Sequence, residues 1–131
     1  MKVLHVETGR HLYGGALQVA YLVRGLAARG IDNLLVCPSG SAIAAEGFPE
    51  GVEVLALPMS GDADLAFVWR LKRVIRRFHP DVVHLHGLDR LGAEIVPLLR
   101  RLRPAARLVL TLHDFQLICP QRGLLLRRDG G

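Results

Sequence analysis

The chain of 131 residues predicts an α/β fold, a parallel sheet with helices on both faces. Two observations carry that expectation. Apolar strand-like runs alternate with segments of helical periodicity from the first residue onward, the pattern of successive β-α-β units. The strand-like runs are also near-continuous in Val and Leu rather than alternating, as strands covered on both sides are. Right-handed crossovers then favour the strand order 3-2-1-4-5.

Each element has its own signal. Val3 to Glu7 is a short apolar run closing in a Gly-containing loop. Gly15 to Arg29 reads as a helix, because Leu17, Ala20, Tyr21, Val23 and Leu26 recur at helical spacing and Gly30 is a stop. Asn33 to Pro38 is a second strand. Ser39 to Phe48 is polar and small-residue rich, with room for one helical turn, and Val52 to Leu57 is a third strand closed by Pro58. From Asp64 to Phe78 the apolar face Phe67, Leu71, Val74, Ile75, Phe78 is flanked by Arg70, Lys72, Arg73, Arg76 and Arg77, and His79-Pro80 ends the helix. Asp81 to His86 is a fourth strand. Leu91 to Leu102 is a helix that Pro97 either kinks or splits, and Arg107 to Leu112 is a fifth strand. No element is predicted from Phe115 to Gly131. The pattern has no internal repeat or linker, so it reads as one Rossmann-like domain.

Composition narrows the function classes. Half of the residues are hydrophobic, enough for one core and against general disorder. Seventeen Lys plus Arg against twelve Asp plus Glu leave a net charge of +5, which favours anionic partners without choosing among them. Nucleic acid is not expected, because aromatics are few and no binding motif is present. Two cysteines, Cys37 and Cys119, make no disulfide framework. The run from Met1 is too short and is interrupted by Glu7, so it is no signal peptide, and no window matches a membrane span. A soluble cytoplasmic protein is expected.

Ligands of open α/β sheets bind outside the carboxyl ends of the strands. Three such ends stand out. The loop Thr8-Gly9-Arg10-His11-Leu12-Tyr13-Gly14-Gly15 enters a helix, where backbone N–H groups and the helix dipole suit an anion. It is neither a dinucleotide fingerprint nor a P-loop, and a flexible glycine turn would explain it equally. His84-Leu85-His86-Gly87 places two imidazoles on one strand face. Thr111-Leu112-His113-Asp114 sets a histidine beside a carboxylate at the end of the fifth strand. His5, inside a strand, and His79, at a helix end, are expected to be structural.

Together these residues resemble glycosyltransferase family 4, the retaining GT-B enzymes. The resemblance runs through Met1-Lys2-Val3-Leu4-His5-Val6, Gly14-Gly15-Ala16, Arg29-Gly30-Ile31, Pro80-Asp81-Val82-Val83-His84-Leu85-His86-Gly87, Thr111-Leu112-His113-Asp114-Phe115 and Ile118-Cys119-Pro120. Leu17 and Gln18 stand where such enzymes often carry Glu after the glycine pair. The resemblance implies an acceptor-side N-terminal half, residues 1–131, incomplete at its C-terminus. A donor-binding half with a Glu-x7-Glu signature would lie beyond it. It implies a nucleotide-diphosphate sugar donor, a sugar or lipid-linked acceptor, and neither cofactor nor metal. Carried over by position, Gly14 and Gly15 face the donor diphosphate and His113 is catalytic. His84, His86 and Asp114 line the acceptor side of the cleft.

Two other functions remain open from the residues alone. A metal-dependent hydrolase could use His84, His86 and His113 with Asp89 nearby, and a non-catalytic binding module needs no chemistry at all. The five cations of the Asp64–Phe78 helix and the cluster Arg100, Arg101, Arg103 suggest weak peripheral contact with the inner membrane. A solvated helix face is the simpler reading, because residues 70, 73 and 77 lie on one flank and 72 and 76 on the other.

Overall fold

The computed structural model describes residues 1–60, 64–88 and 91–112. Five parallel strands form one sheet: β1 (Lys2–Val6), β2 (Asp32–Pro38), β3 (Val52–Leu57), β4 (Val82–His86) and β5 (Arg107–Thr111). Their order is β3-β2-β1-β4-β5, as the sequence predicts. Three α-helices connect them, α1 (Gly14–Ala28), α2 (Leu65–Phe78) and α3 (Ile95–Leu102), with a short 3-10 turn at Ile43–Ala45 inside the β2–β3 connection.

Side-chain alternation divides the core in two. Leu4, Val6, Leu34, Val36, Val83 and Leu85 point to one face and pack with Phe67, Leu71 and Ile75 of α2 and Ile95 and Leu99 of α3. Leu35 and Cys37 point to the other face, against Ala16, Val19, Ala20 and Val23 of α1 and Ile43. Burial raises the pKa of the Cys37 thiol, and this cysteine is free. Helix α1 lies over β2 and β3. The β1–β4 part of its face carries polar side chains instead: register pairs His5 with His84 and His86 with Thr111.

Local chemistry explains the element ends. Asp64 caps α2 by accepting from the Phe67 amide at 3.1 Å, and its Oδ2 accepts from the Ser60 amide and hydroxyl. These hydrogen bonds to the Ser60 and Phe67 amides hold its carboxyl below the usual range. His79 closes α2 in the left-handed conformation, its amide donating to the Ile75 carbonyl. The fourth helical segment differs from expectation. It begins at Ile95 rather than Leu91, with turns before it, and Pro97 is its third residue. Proline is tolerated in a first turn because the N–H it lacks there would have no intrahelical partner. Pro97 therefore neither kinks nor splits the helix.

Candidate active site

The carboxyl ends of β1 and β4 lie side by side, as neighbouring parallel strands must. Residues 8–13 leave β1 there and climb to α1. This segment is not a slack turn. The Glu7 amide donates to the Val36 carbonyl, extending the β1–β2 ladder by one bond, and Glu7 Oε1 accepts from the Gly9 amide at 2.8 Å. The Arg10 guanidinium donates to the Met59 carbonyl at 2.7 Å, and the Arg10 carbonyl accepts from the Ala42 amide. Arg10 thus ties the middle of the loop to the connections after β2 and β3. Tyr13 occupies the N-cap position of α1 with no side-chain cap, and no acidic residue sits in the first turn. The N-terminal N–H groups of α1, carried by Gly14 and Gly15, keep their capacity for an anion. A Cβ at Gly14 would meet nothing within 4 Å, so this glycine leaves open space above the backbone.

Beside that loop stands a cluster of three imidazoles. His84 and His86 share a face of β4, as the two-residue spacing predicts, with ring centroids 3.9 Å apart and planes 30° from parallel. His5, from β1, joins them: its ring centroid lies 5.4 Å from His86 and 5.7 Å from His84. His5 Nδ1 is 3.2 Å from His86 Nε2, and His5 Nε2 is 3.0 Å from Asn33 Oδ1. His84 Nε2 meets Thr111 Oγ1 at 2.6 Å. His5 and Asn33 are buried, and burial, ahead of the opposing Asn33 hydrogen bond, lowers the His5 pKa from 6.5 to about 4. A charge is excluded from the deepest of the three rings.

Each of the three histidines offers a nitrogen within 4.8 Å of the others, a donor set that suits zinc in kind. As placed, the rings of β4 are closer together than ligands of one ion are. Two imidazoles bound tetrahedrally at about 2 Å hold their centroids about 5 Å apart, whereas His84 and His86 stack at 3.9 Å. The cluster is hydrogen-bonded and stacked. His113, Asp114 and Asp89 lie outside the described residues.

Sequence reasoning placed His84 and His86 together and took His5 as structural, which its burial agrees with, but did not single out its contact with His86, nor Asn33 or Glu7. A polar residue entering a buried strand (Asn33) and a carboxylate at a strand's carboxyl end (Glu7) were the available signals. His5 gave none, because its partners come from other strands.

The chain matches the glycosyl transferase 4-like domain over residues 13–130. Among curated proteins, none matches. Several solved structures resemble the fold, among them two described by name. A glycosyltransferase from Rickettsia africae ESF-5 superposes with a TM-score of 0.64 at 15% identity, over 86% of this chain and 30% of its own. MurG from Acinetobacter baumannii does so with a TM-score of 0.60 at 11% identity, over 87% of this chain and 35% of its own. The chain therefore spans about a third of each of these proteins.

Proposed function

Because the chain belongs to the glycosyl transferase 4-like domain family, we propose that it is the acceptor-side half of an enzyme that moves a sugar from a nucleotide-diphosphate donor to a sugar or lipid-linked acceptor, with retention of configuration. The observation that carries this reading is that the loop leading to the uncapped α1 N-terminus leaves β1 beside the end of β4 that carries the His84–His86 pair. The first suits a diphosphate, since oriented N–H groups stabilise a leaving anion without reorganising. The second suits the hydroxyls of a sugar. Gly14 and Gly15 are assigned to the diphosphate, His84, His86 and Asp114 to the acceptor side, and His113 to the reacting sugar. The residues assigned at positions 113 and 114 rest on their place in the motif. A second half of the enzyme would supply most donor contacts. The test is to incubate the complete enzyme with donor and acceptor and read the anomeric configuration of the first product by NMR. Retention is expected; inversion would overturn the mechanism.

The same reading assigns the histidines no metal and the protein no cofactor, and places it in the cytoplasm. Stoichiometric zinc in the purified protein, lost in a His84→Ala/His86→Ala double variant, would overturn the first assignment. A weak peripheral contact with the inner membrane completes the proposal, supported by Leu65 and Trp69, which lie exposed among the cations of α2. Among the described residues no helix is long and apolar enough to cross a membrane.

A further inference from the structure

The hydrogen bonds around His5 have a direction, and it can be read from one end. The Ile31 carbonyl can only accept. The atom of Asn33 that meets it at 2.8 Å must therefore be the amide nitrogen Nδ2, which fixes the orientation of the Asn33 amide. Asn33 Oδ1 is then the atom facing His5, and an amide oxygen also only accepts. The His5 nitrogen 3.0 Å away, Nε2, must carry the proton. His5 excludes positive charge through its burial, so its other nitrogen, Nδ1, is bare. Nδ1 lies 3.2 Å from His86 Nε2, and a bare nitrogen needs a donor opposite it. The contact between His84 and Thr111 has no such polarity, because a hydroxyl can give or take.

We propose that Asn33 and His5 are positioning residues for His86: the chain from His86 Nε2–H to His5, to Asn33, to the Ile31 carbonyl holds a proton on His86 Nε2. The relevance to transfer rests on the function proposed above, with His86 on the acceptor side. The proton on His86 Nε2 does not, since it is read without activity.

The experiment is nitrogen NMR of the complete protein, labelled with 15N at histidine and assigned by single substitutions, at neutral pH. His5 is expected to show one protonated nitrogen, Nε2, and one bare nitrogen, Nδ1, and His86 a protonated Nε2. Two variants separate positioning from packing. His5→Gln keeps an amide donor towards Asn33 and an oxygen towards His86, so His86 should stay in the Nε2–H form. His5→Leu removes both, and His86 should exchange between its two tautomers. A proton on His5 Nδ1 in the unaltered protein would overturn the proposal. So would an unchanged His86 spectrum in folded His5→Leu, or His5 and His86 shifts that move together on stoichiometric zinc binding. If His5→Leu does not fold, the unaltered protein and His5→Gln still decide it.

Discussion

At the scale of single residues, His5 ties the candidate site to the stability of the domain. Its imidazole is neutral in the fold down to about pH 4, whereas in the unfolded chain it takes up a proton near 6.5. Above pH 6.5 both states are neutral and the side chain adds no pH dependence. As pH falls from 6.5 towards 4, the unfolded state binds a proton that the folded state refuses, so stability must fall. The span corresponds to about 3 kcal/mol, lost across that window and level below it. Denaturant unfolding at pH 7, 5.5 and 4 should show the loss, and His5→Gln should remove this part of it. His84 faces His5 and also opposes its charge, so the comparison belongs between His5→Gln and the unaltered protein rather than between pH values alone. His113 makes a kinetic prediction. If its imidazole acts on the reacting sugar, His113→Ala in the complete enzyme should lower kcat about 100-fold; an unchanged kcat in folded protein would return the residue to a structural role. What the sequence exposed at this scale followed from range. The His84–His86 pair needs only the two-residue period of a strand. His5 and Asn33 enter through the register of β1 against β2 and β4, which three separate segments decide jointly.

At the scale of elements, α2 shows the same boundary between local and long-range information. Its apolar face, its Asp64 start and its His79-Pro80 stop are written within fifteen residues, and the structure follows them. The start of α3 was misread because periodicity alone extends to Leu91, whereas Pro97 is accommodated only in a first turn. The outer side of α2 holds more than charge. Leu65 is 81% exposed and Trp69 58%, one helical turn apart, and the Arg73 guanidinium lies 5.0 Å from the Trp69 ring centroid. Arg70, Arg73 and Arg77 lie to one side of this pair and Lys72 to the other, while Arg76, seven residues after Trp69, lies on the same line. The main apolar face of α2 is packed in the core, so contact with a membrane would rest on Leu65, Trp69 and the cations around them. Each cation near an anionic surface contributes about 1 kcal/mol, and salt screens it. Trp69 is the sole tryptophan of the chain, so its fluorescence reports on this face alone. Anionic vesicles should shift its emission to the blue at low salt, neutral vesicles should not, and Arg73→Glu/Arg77→Glu should abolish the effect. An emission spectrum indifferent to anionic lipid at low salt would leave α2 a solvated helix.

At the scale of the whole molecule, the strand order brings the end of β1 next to the end of β4, and the proposed chemistry depends on that adjacency. Order and parallel direction were legible because the crossover rule leaves few arrangements for alternating strands and helices. The polar part of the α1 face was not, since it depends on where α1 comes to rest across the sheet. Over about a third of the two similar structures, the chain supplies one layered sheet with the carboxyl ends of β1 and β4 side by side. Glycosyl transfer needs the donor carbon and the acceptor hydroxyl held together at near-attack distance, with water kept from competing for the sugar. One sheet edge can bind a substrate without meeting either condition. Residues 1–131 alone are therefore expected to turn over no nucleotide-diphosphate sugar, by transfer or by hydrolysis, in a coupled assay for the released nucleotide. The complete enzyme should do so under the same conditions, and the variants at His113 should lower that rate. Turnover by residues 1–131 at a rate comparable with the complete enzyme would mean that this half holds donor and acceptor by itself, and the division of labour proposed for the two halves would be wrong.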